Sequence, residues 1–164
     1  MISFSFNQII MQDFVHLHVH TQYSILDGQA SIPRLVDKAI ANGMKGIAVT
    51  DHGDMFGIKE FFNYVNKKNS GINGEIKDLK KRIATLENSE EKTEDIQAEI
   101  AACKKKLEET RKKLFKPILG CEMYVARRRM ENKEGKPDQS GYHLIVLAKN
   151  LKGYHNLIKL VSKA

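Results

Sequence analysis

The stretch "FVHLHVHTQYSILDG", Phe14 to Gly28, decides how the chain is read. Val15, Leu17 and Val19 alternate with Phe14, His16, His18 and His20. A period of two predicts a β-strand with one apolar face and one face that carries imidazoles. The whole chain has six histidines, so three in register on one strand ask for more than packing. Imidazole nitrogen is the commonest protein ligand for zinc and also serves manganese and iron. His18 and His20, at the end of the strand, are the candidate ligands. His16 lies deeper and suits support of the site or core packing. Asp27, one short loop later, either adds a carboxylate or is the turn residue before Gly28.

Outward from that stretch, Ser31 is placed to cap a helix with Pro33 in its first turn, and Ile32, Leu35, Val36, Ala39 and Ile40 form its apolar stripe. Asn42-Gly43 stops it. "GIAVT", Gly46 to Thr50, is a short apolar run of the kind buried on both faces of a sheet. Ile58, Phe61, Phe62 and Val65 predict a second helix. "KPILGCEMYV" and "HLIVLA" read as strands, and Tyr154, Leu157, Ile158 and Val161 as a last helix. Strands and helices in short alternation predict an α/β fold with parallel strands. Four strands are too few to close a barrel, and "LIKLVSKA" ends in helical periodicity. The chain is therefore expected to be the first part of a barrel or sheet that continues beyond residue 164.

One segment interrupts the alternation. After an expected loop "NKKNSGING", Ile76, Leu79, Ile83 and Leu86 mark one helical seam. Ile96, Ile100, Cys103, Leu107 and Leu114 mark another beyond a break at "NSEEKT". The pattern is an antiparallel helical hairpin with a thin apolar seam. Residues 66–116 hold fourteen Lys or Arg against ten Asp or Glu, which is more than half of the chain's net +7. Mixed charge of that kind fits a solvated coiled coil, with a docking arm for nucleic acid or another subunit as the alternative.

Hydrophobic residues make up 41% of the 164, enough for a core. No apolar run is long enough to span a membrane, and the N-terminus lacks the pattern of a secretory signal. Cys103 and Cys121, the only cysteines, suggest no disulfide framework. A cytoplasmic setting is expected. The sequence pI of about 9.3 admits a polyanionic partner without requiring one.

Further polar residues sit where strands end. "TDHGDM" places Asp51, His52 and Asp54 directly after an apolar run, the position of reacting groups in parallel α/β folds. Asp54 equally suits a helix cap; His52 has no such structural excuse. Glu122 stands amid apolar residues of a strand, where a carboxylate needs a partner or a metal. His143 opens its strand, and spacing does not say which pocket it reaches. His155 near a helix start reads as a surface residue. Arg127, Arg128 and Arg129 after the third strand suit a solvated loop or a phosphate contact. Several histidines with Asp and Glu fit two or three divalent ions, a constellation that commonly hydrolyses phosphate esters.

"HLHVHTQYSILDG", "GIAVTDHGDMFG", "KPILGCEMYV" and "YHLIVLAKNLKGYHNLIKLVSKA" resemble, in order, the start of the PHP domain, the polymerase and histidinol phosphatase superfamily. The resemblance is strongest to the PHP domain at the start of bacterial replicative polymerases, the alpha subunits of DNA polymerase III. It implies a distorted barrel of seven βα units with up to three metals, for which histidine and carboxylate suit zinc, manganese and iron alike. It also implies His18, His20, Asp27, His52, Glu122 and His143 as metal ligands, with His16, Asp51 and Asp54 in support. Residues 11–70 and 115–164 would be two parts of the barrel, cut at 164, with the hairpin of 71–114 inserted and residues 1–10 an extension before Met11. The remaining ligands of the family would lie beyond Ala164.

What the resemblance implies for function is a parent protein that synthesises DNA, with its polymerase site further along. For the domain itself it implies a phosphoesterase acting on DNA 3′ ends in proofreading. The alternatives are a metal-stabilised scaffold that docks a separate proofreading exonuclease among other replicase subunits, and a stand-alone phosphatase of the histidinol phosphatase kind. No membrane partner is implied.

Overall fold

The computed structural model describes residues 14–89, 93–129, 131–136 and 141–164. The expected extension over residues 1–10, the start at Met11 and part of the "NSEEKT" break lie outside these. The described elements run α1 (Ile32–Ala41), β1 (Gly46–Val49), α2 (Ile58–Lys68), α3 (Ser70–Glu87), α4 (Glu94–Lys112), β2 (Lys116–Val125), β3 (Tyr142–Leu147) and α5 (Leu151–Val161). The fold is mixed α/β.

The sheet has the order β1-β2-β3. β1 pairs parallel with β2 from Gly46↔Lys116 to Val49↔Leu119. β2 pairs antiparallel with β3 from Gly120↔Leu147 to Val125↔Tyr142. The all-parallel expectation is thus corrected to a mixed sheet. The connection from β2 to β3 carries no described helix that could return the chain for a parallel pairing.

The predicted first strand is also corrected. Phe14 to His20 is not part of the sheet and bends at Leu17. Ala48 N–H donates to His16 O at 2.9 Å and Thr50 N–H to Val19 O at 2.9 Å. The acceptors are three residues apart and the donors two, so one extra residue breaks the ladder, as in a bulge. Val19 N–H turns instead to the Thr50 hydroxyl at 2.9 Å. Leu17, on the expected apolar face, is left 48% exposed. Even so, the segment runs along the free edge of β1 and brings His18 and His20 beside it.

The core lies between β1 and the helices α1 and α2. Ile47 and Val49 from β1 meet Ile32, Val36 and Ala39 from α1, and Ile58, Phe61 and Val65 from α2. Phe61 is fully buried, worth about 1.5–3 kcal/mol over an exposed ring. α1 ends at Asn42-Gly43 as expected. Gly43 has φ +75°, its N–H donates to Ile40 O, and Met44 N–H donates to Ala39 O, the paired bonds of a Schellman stop. Ser31 stands at the start of α1, but its hydroxyl makes no cap bond. Pro33 in the first turn fixes φ there and leaves one fewer amide to satisfy.

The expected loop "NKKNSGING" is helical. α2 and α3 are separated only by Asn69, whose φ and ψ of −82° and −1° stay near the helical region. Asn69 N–H donates to Val65 O and Asn73 N–H to Asn69 O, so helical bonds cross the join. The glycines at 71 and 74 reduce helix propensity, and the packing of α3 on α4 outweighs them. Ile83 is buried on that seam, and Ile76, Leu79, Leu86, Ile96, Ile100, Cys103 and Leu107 are half-buried. Ion pairs Lys106–Glu75, Arg82–Glu99 and Lys104–Glu87 flank it, and the first two pair early α3 with late α4 and late α3 with early α4, as in an antiparallel hairpin. At the base, Asn69 is 6% exposed. Its Nδ2 donates to Phe115 O at 2.8 Å and its Oδ1 accepts from Phe115 N–H at 3.1 Å. One side chain thereby ties the start of the helix pair to its end.

Candidate metal centre

Four neighbouring stretches of chain deliver the site. They are the segment through His20 with its turn to Asp27, the end of β1, the middle of β2 and the start of β3. Thr50 and Asp51 end β1 in the core, and both are buried. Asp51 does not reach the cluster. Its Oδ1 accepts from Thr21 N–H at 2.6 Å and its Oδ2 from the Thr21 hydroxyl at 2.9 Å. It anchors the turn that follows His20. Burial pushes its carboxyl above the ordinary range, against the two Thr21 bonds.

From Thr21 the chain turns tightly. Ser24 N–H donates to Thr21 O, and both Asp27 and Gly28 N–H donate to Ser24 O. The buried Ser24 hydroxyl donates to Asp27 Oδ1 at 2.6 Å and accepts from His52 N–H at 3.0 Å. That bond, ahead of the nearby His20 and His52, holds the Asp27 carboxyl below its ordinary range. Gly28 has a physical reason. A Cβ there would overlap the Thr21 carbonyl oxygen and stand 2.8 Å from the Thr21 carbonyl carbon. The loop closes only with glycine.

Glu122 is the hub. It is 4% exposed and its backbone is pinned on both sides, Glu122 N–H to Asp51 O and Gly53 N–H to Glu122 O. Its Oε2 lies 2.6 Å from His20 Nε2, 3.2 Å from His18 Nε2 and 3.5 Å from His52 Nδ1. Its Oε1 lies 2.7 Å from His143 Nδ1. Burial pushes the Glu122 carboxyl up, but His18, His143 and His20 together outweigh it and leave the group below its ordinary range. Asp27 completes the ring, 3.0 Å from His20 Nδ1 and 3.3 Å from His52 Nδ1.

The donor set fits divalent cations. Ligand atoms fall into three triads, each within 4.8 Å: His18, His20 and Glu122; His20, Asp27 and His52; His52, Glu122 and His143. Each triad mixes imidazole with carboxylate, and His20, His52 and Glu122 are shared. His18 and His20 also point Nε2 at each other at 3.2 Å. Lone pairs converging in this way call for protons or cations between them. Cys121 stays outside the set. Its Sγ is turned to Asp51 O at 3.4 Å, and burial pushes the thiol up to about 11.

The structure thus brings His18, His20, Asp27, His52, Glu122 and His143 together. His143 reaches the cluster because β3 runs antiparallel: Tyr124↔His143 places the start of β3 beside the end of β2. His16 goes elsewhere, its ring edge-on to Phe14 at 4.7 Å. Asp54 does not cap α2, whose N-cap is Gly57; its Oδ1 accepts from Phe56 N–H in the turn before. Arg127 lies over the Tyr142 ring at 5.3 Å, and Arg128 pairs with Glu134 at 3.0 Å. Arg129 O accepts from Asn132 N–H. His155 is exposed on α5. Sequence reasoning missed Thr21, Ser24 and Tyr124, which position the cluster. "HTQYS" held a faint signal for the first two, since hydroxyl residues in a turn commonly bond local backbone.

The profile of the PHP domain matches residues 16–164. The chain is 36% identical over 152 residues to the DNA polymerase III subunit alpha of Treponema pallidum (strain Nichols), covering 92% of this chain and 9% of the relative. Against the subunit of the same name from Borreliella burgdorferi it is 35% identical over 150 residues, 91% of this chain and 9% of the relative. Against that of Aquifex aeolicus it is 31% identical over 159 residues, 93% and 10%. The chain spans about a tenth of the length of these relatives. No helix among the described residues is long and apolar enough to cross a membrane.

Proposed function

The chain belongs to the PHP domain family, and on that footing we propose that it is the PHP domain of a replicative DNA polymerase. We further propose that its histidine–carboxylate cluster is a metal-dependent phosphoesterase site acting on DNA 3′ ends. The observation that carries the reading is Glu122, a buried carboxylate met by four imidazoles from three other stretches of chain. A scaffold needs such a carboxylate satisfied; it does not need three overlapping ligand triads.

In this reading His18, His20, Asp27, His52, Glu122 and His143 hold zinc, manganese or iron, with up to three ions once the remaining ligands of the domain join them. Bound there, the cations supply neutralisation of phosphate oxygens and acidification of a water for attack on phosphorus. The residues of the chain prepare the place. Glu122 stays anionic and central. His20 is held between Asp27 and Glu122, so its ring cannot turn without losing both. Ser24 fixes Asp27 and the His52 backbone with one hydroxyl. A cavity of about 240 Å³ lined by Tyr23, Ile25, Leu26, Asp27, His52, Asp54 and Tyr124 opens beside the cluster, and in this reading it takes the terminal base. The Arg127–Arg129 run is the proposed contact for the DNA backbone, with Arg128 exchanging Glu134 for phosphate.

The proposal places residues 11–70 and 115–164 in a (β/α)7 PHP barrel, with residues 1–10 as an extension and 71–114 as a helical insertion. The partners it entails are DNA and other replicase subunits; a separate proofreading exonuclease is a partner of the scaffold alternative.

The test is excision of the terminal nucleotide from an end-labelled single-stranded oligonucleotide by the intact polymerase, wild type against Glu122→Gln, with manganese supplied. Excision falling by more than the roughly 10–100-fold of a lost supporting bond, with DNA synthesis retained, is the expected result. Equal excision by both proteins overturns the phosphoesterase reading in favour of a scaffold.

A further inference from the structure

We infer that Tyr124 is a positioning residue of the cluster, its hydroxyl holding His52 so that Nδ1 is the nitrogen offered to a cation. This rests on the metal-holding reading of the site. Tyr124 follows Glu122 by two residues on β2, so both side chains leave the same face of the strand. Its hydroxyl is hydrogen-bonded to His52 Nε2. Its ring meets His52 edge-on at 4.8 Å and His143 at 4.7 Å, while His52 and His143 are 5.1 Å apart. Three rings therefore fix one another on one side of Glu122.

The two nitrogens of His52 have separate tasks. Nδ1 faces Asp27 Oδ2 at 3.3 Å and Glu122 Oε2 at 3.5 Å; Nε2 faces only the tyrosine hydroxyl among the described polar contacts. A neutral imidazole donates from one nitrogen and accepts at the other. With no cation, Nδ1–H points at the two carboxylates and the Tyr124 O–H donates to Nε2. With a cation on Nδ1, the ring proton sits on Nε2 and donates to the Tyr124 oxygen. A hydroxyl serves both states because it both donates and accepts; a carboxylate could only accept and an ammonium only donate. His18 and His20 present Nε2 to Glu122, so the nitrogen that His52 presents is a property of its own surroundings. Orienting partners of this kind are worth about 10–100-fold in metal affinity.

The experiment compares wild type with Tyr124→Phe, which keeps the ring and its edge contacts and removes only the hydroxyl. Tyr124 is 58% exposed, so the fold tolerates the change. Imidazole nitrogen NMR is recorded without metal and during titration with zinc alone, and zinc affinity is read by chelator competition. His16 and His155 serve as internal references. The expected result is a His52 Nε2 resonance that moves in the metal-free variant while the references stay. On zinc addition to wild type, Nδ1 takes the metal shift and Nε2 keeps the proton, and the variant binds zinc 10–100-fold more weakly. Zinc on Nε2 of His52, or equal spectra and affinity in both proteins, overturns the inference. If neither protein binds zinc, the metal-holding reading fails, and the metal-free spectra alone decide whether Tyr124 sets the His52 ring.

Discussion

Replacing Asn69 by alanine tests whether one amide holds the helix pair α3–α4 to the rest of the chain. Both of its hydrogen bonds run to the backbone of Phe115, at 2.8 and 3.1 Å. Asn69 is 6% and Phe115 7% exposed, so water does not readily replace the lost partners. Each bond is worth about 0.5–1.5 kcal/mol net, and an unsatisfied buried backbone group costs about 1–3 kcal/mol. Alanine recovers about 0.5 kcal/mol through helix propensity. The net loss expected is about 2–4 kcal/mol. For a chain of this length that lowers Tm by roughly 5–15 °C. The assay is thermal unfolding followed by far-ultraviolet circular dichroism, with Asn73→Ala on the exposed face of α3 as control. Amide exchange at Phe115 should speed up in the same variant. An Asn69→Ala midpoint indistinguishable from the control would refute the reasoning, because it would mean that water or a shifted backbone satisfies Phe115 at no cost.

Gly28→Ala should weaken metal retention by about tenfold or more while leaving the helices intact, since the added Cβ overlaps the Thr21 carbonyl and displaces Asp27 from His20 and His52. Chelator competition on the variant checks this, and unchanged affinity would show that the loop tolerates a side chain. Asp37 accepts from Lys68 Nζ at 2.7 Å and from the Tyr64 hydroxyl at 2.9 Å, and the Lys68 bond, then the Tyr64 bond, hold its carboxyl below the ordinary range. A lowered carboxyl contributes stability that is present above the unfolded value of about 3.9 and lost as pH falls through the folded value. Asp37→Asn should therefore flatten the acid limb of a stability-against-pH curve below about pH 4 and leave its slope near neutrality alone; an unchanged acid limb argues against the pair.

The helices were legible because their burial is periodic. Ile32, Val36 and Ala39, then Ile58, Phe61 and Val65, are the buried positions of α1 and α2, and β1 is buried along its whole length. The segment Phe14–His20 misled through its alternation. Period two records which way side chains point, but a sheet also needs backbone partners at matching spacing, and the Thr50 hydroxyl takes one of them. The expected loop at 66–74 is helical because packing along the α3–α4 seam overrides the weak local helix preference of its glycines and asparagines. In the site, alternation aimed His18 and His20 together, and His52 stood out after an apolar strand. Asp27, Glu122 and His143 were ambiguous by spacing and entered through the family resemblance. The reasons are topological. Asp27 returns only through the Ser24 turn, Glu122 meets His52 only through the pairing of β2 with the end of β1, and His143 arrives only because β3 is antiparallel. None of these is written in local sequence.

The central claim, that six side chains converge in order to hold metal, is tested most directly by elemental analysis of the chain purified without chelators, beside a His18→Ala, His20→Ala double variant. The account predicts near-stoichiometric zinc, manganese or iron in the wild type and its loss in the variant, with the circular dichroism of both unchanged. Equal metal in the two proteins, or none in the wild type, would contradict it.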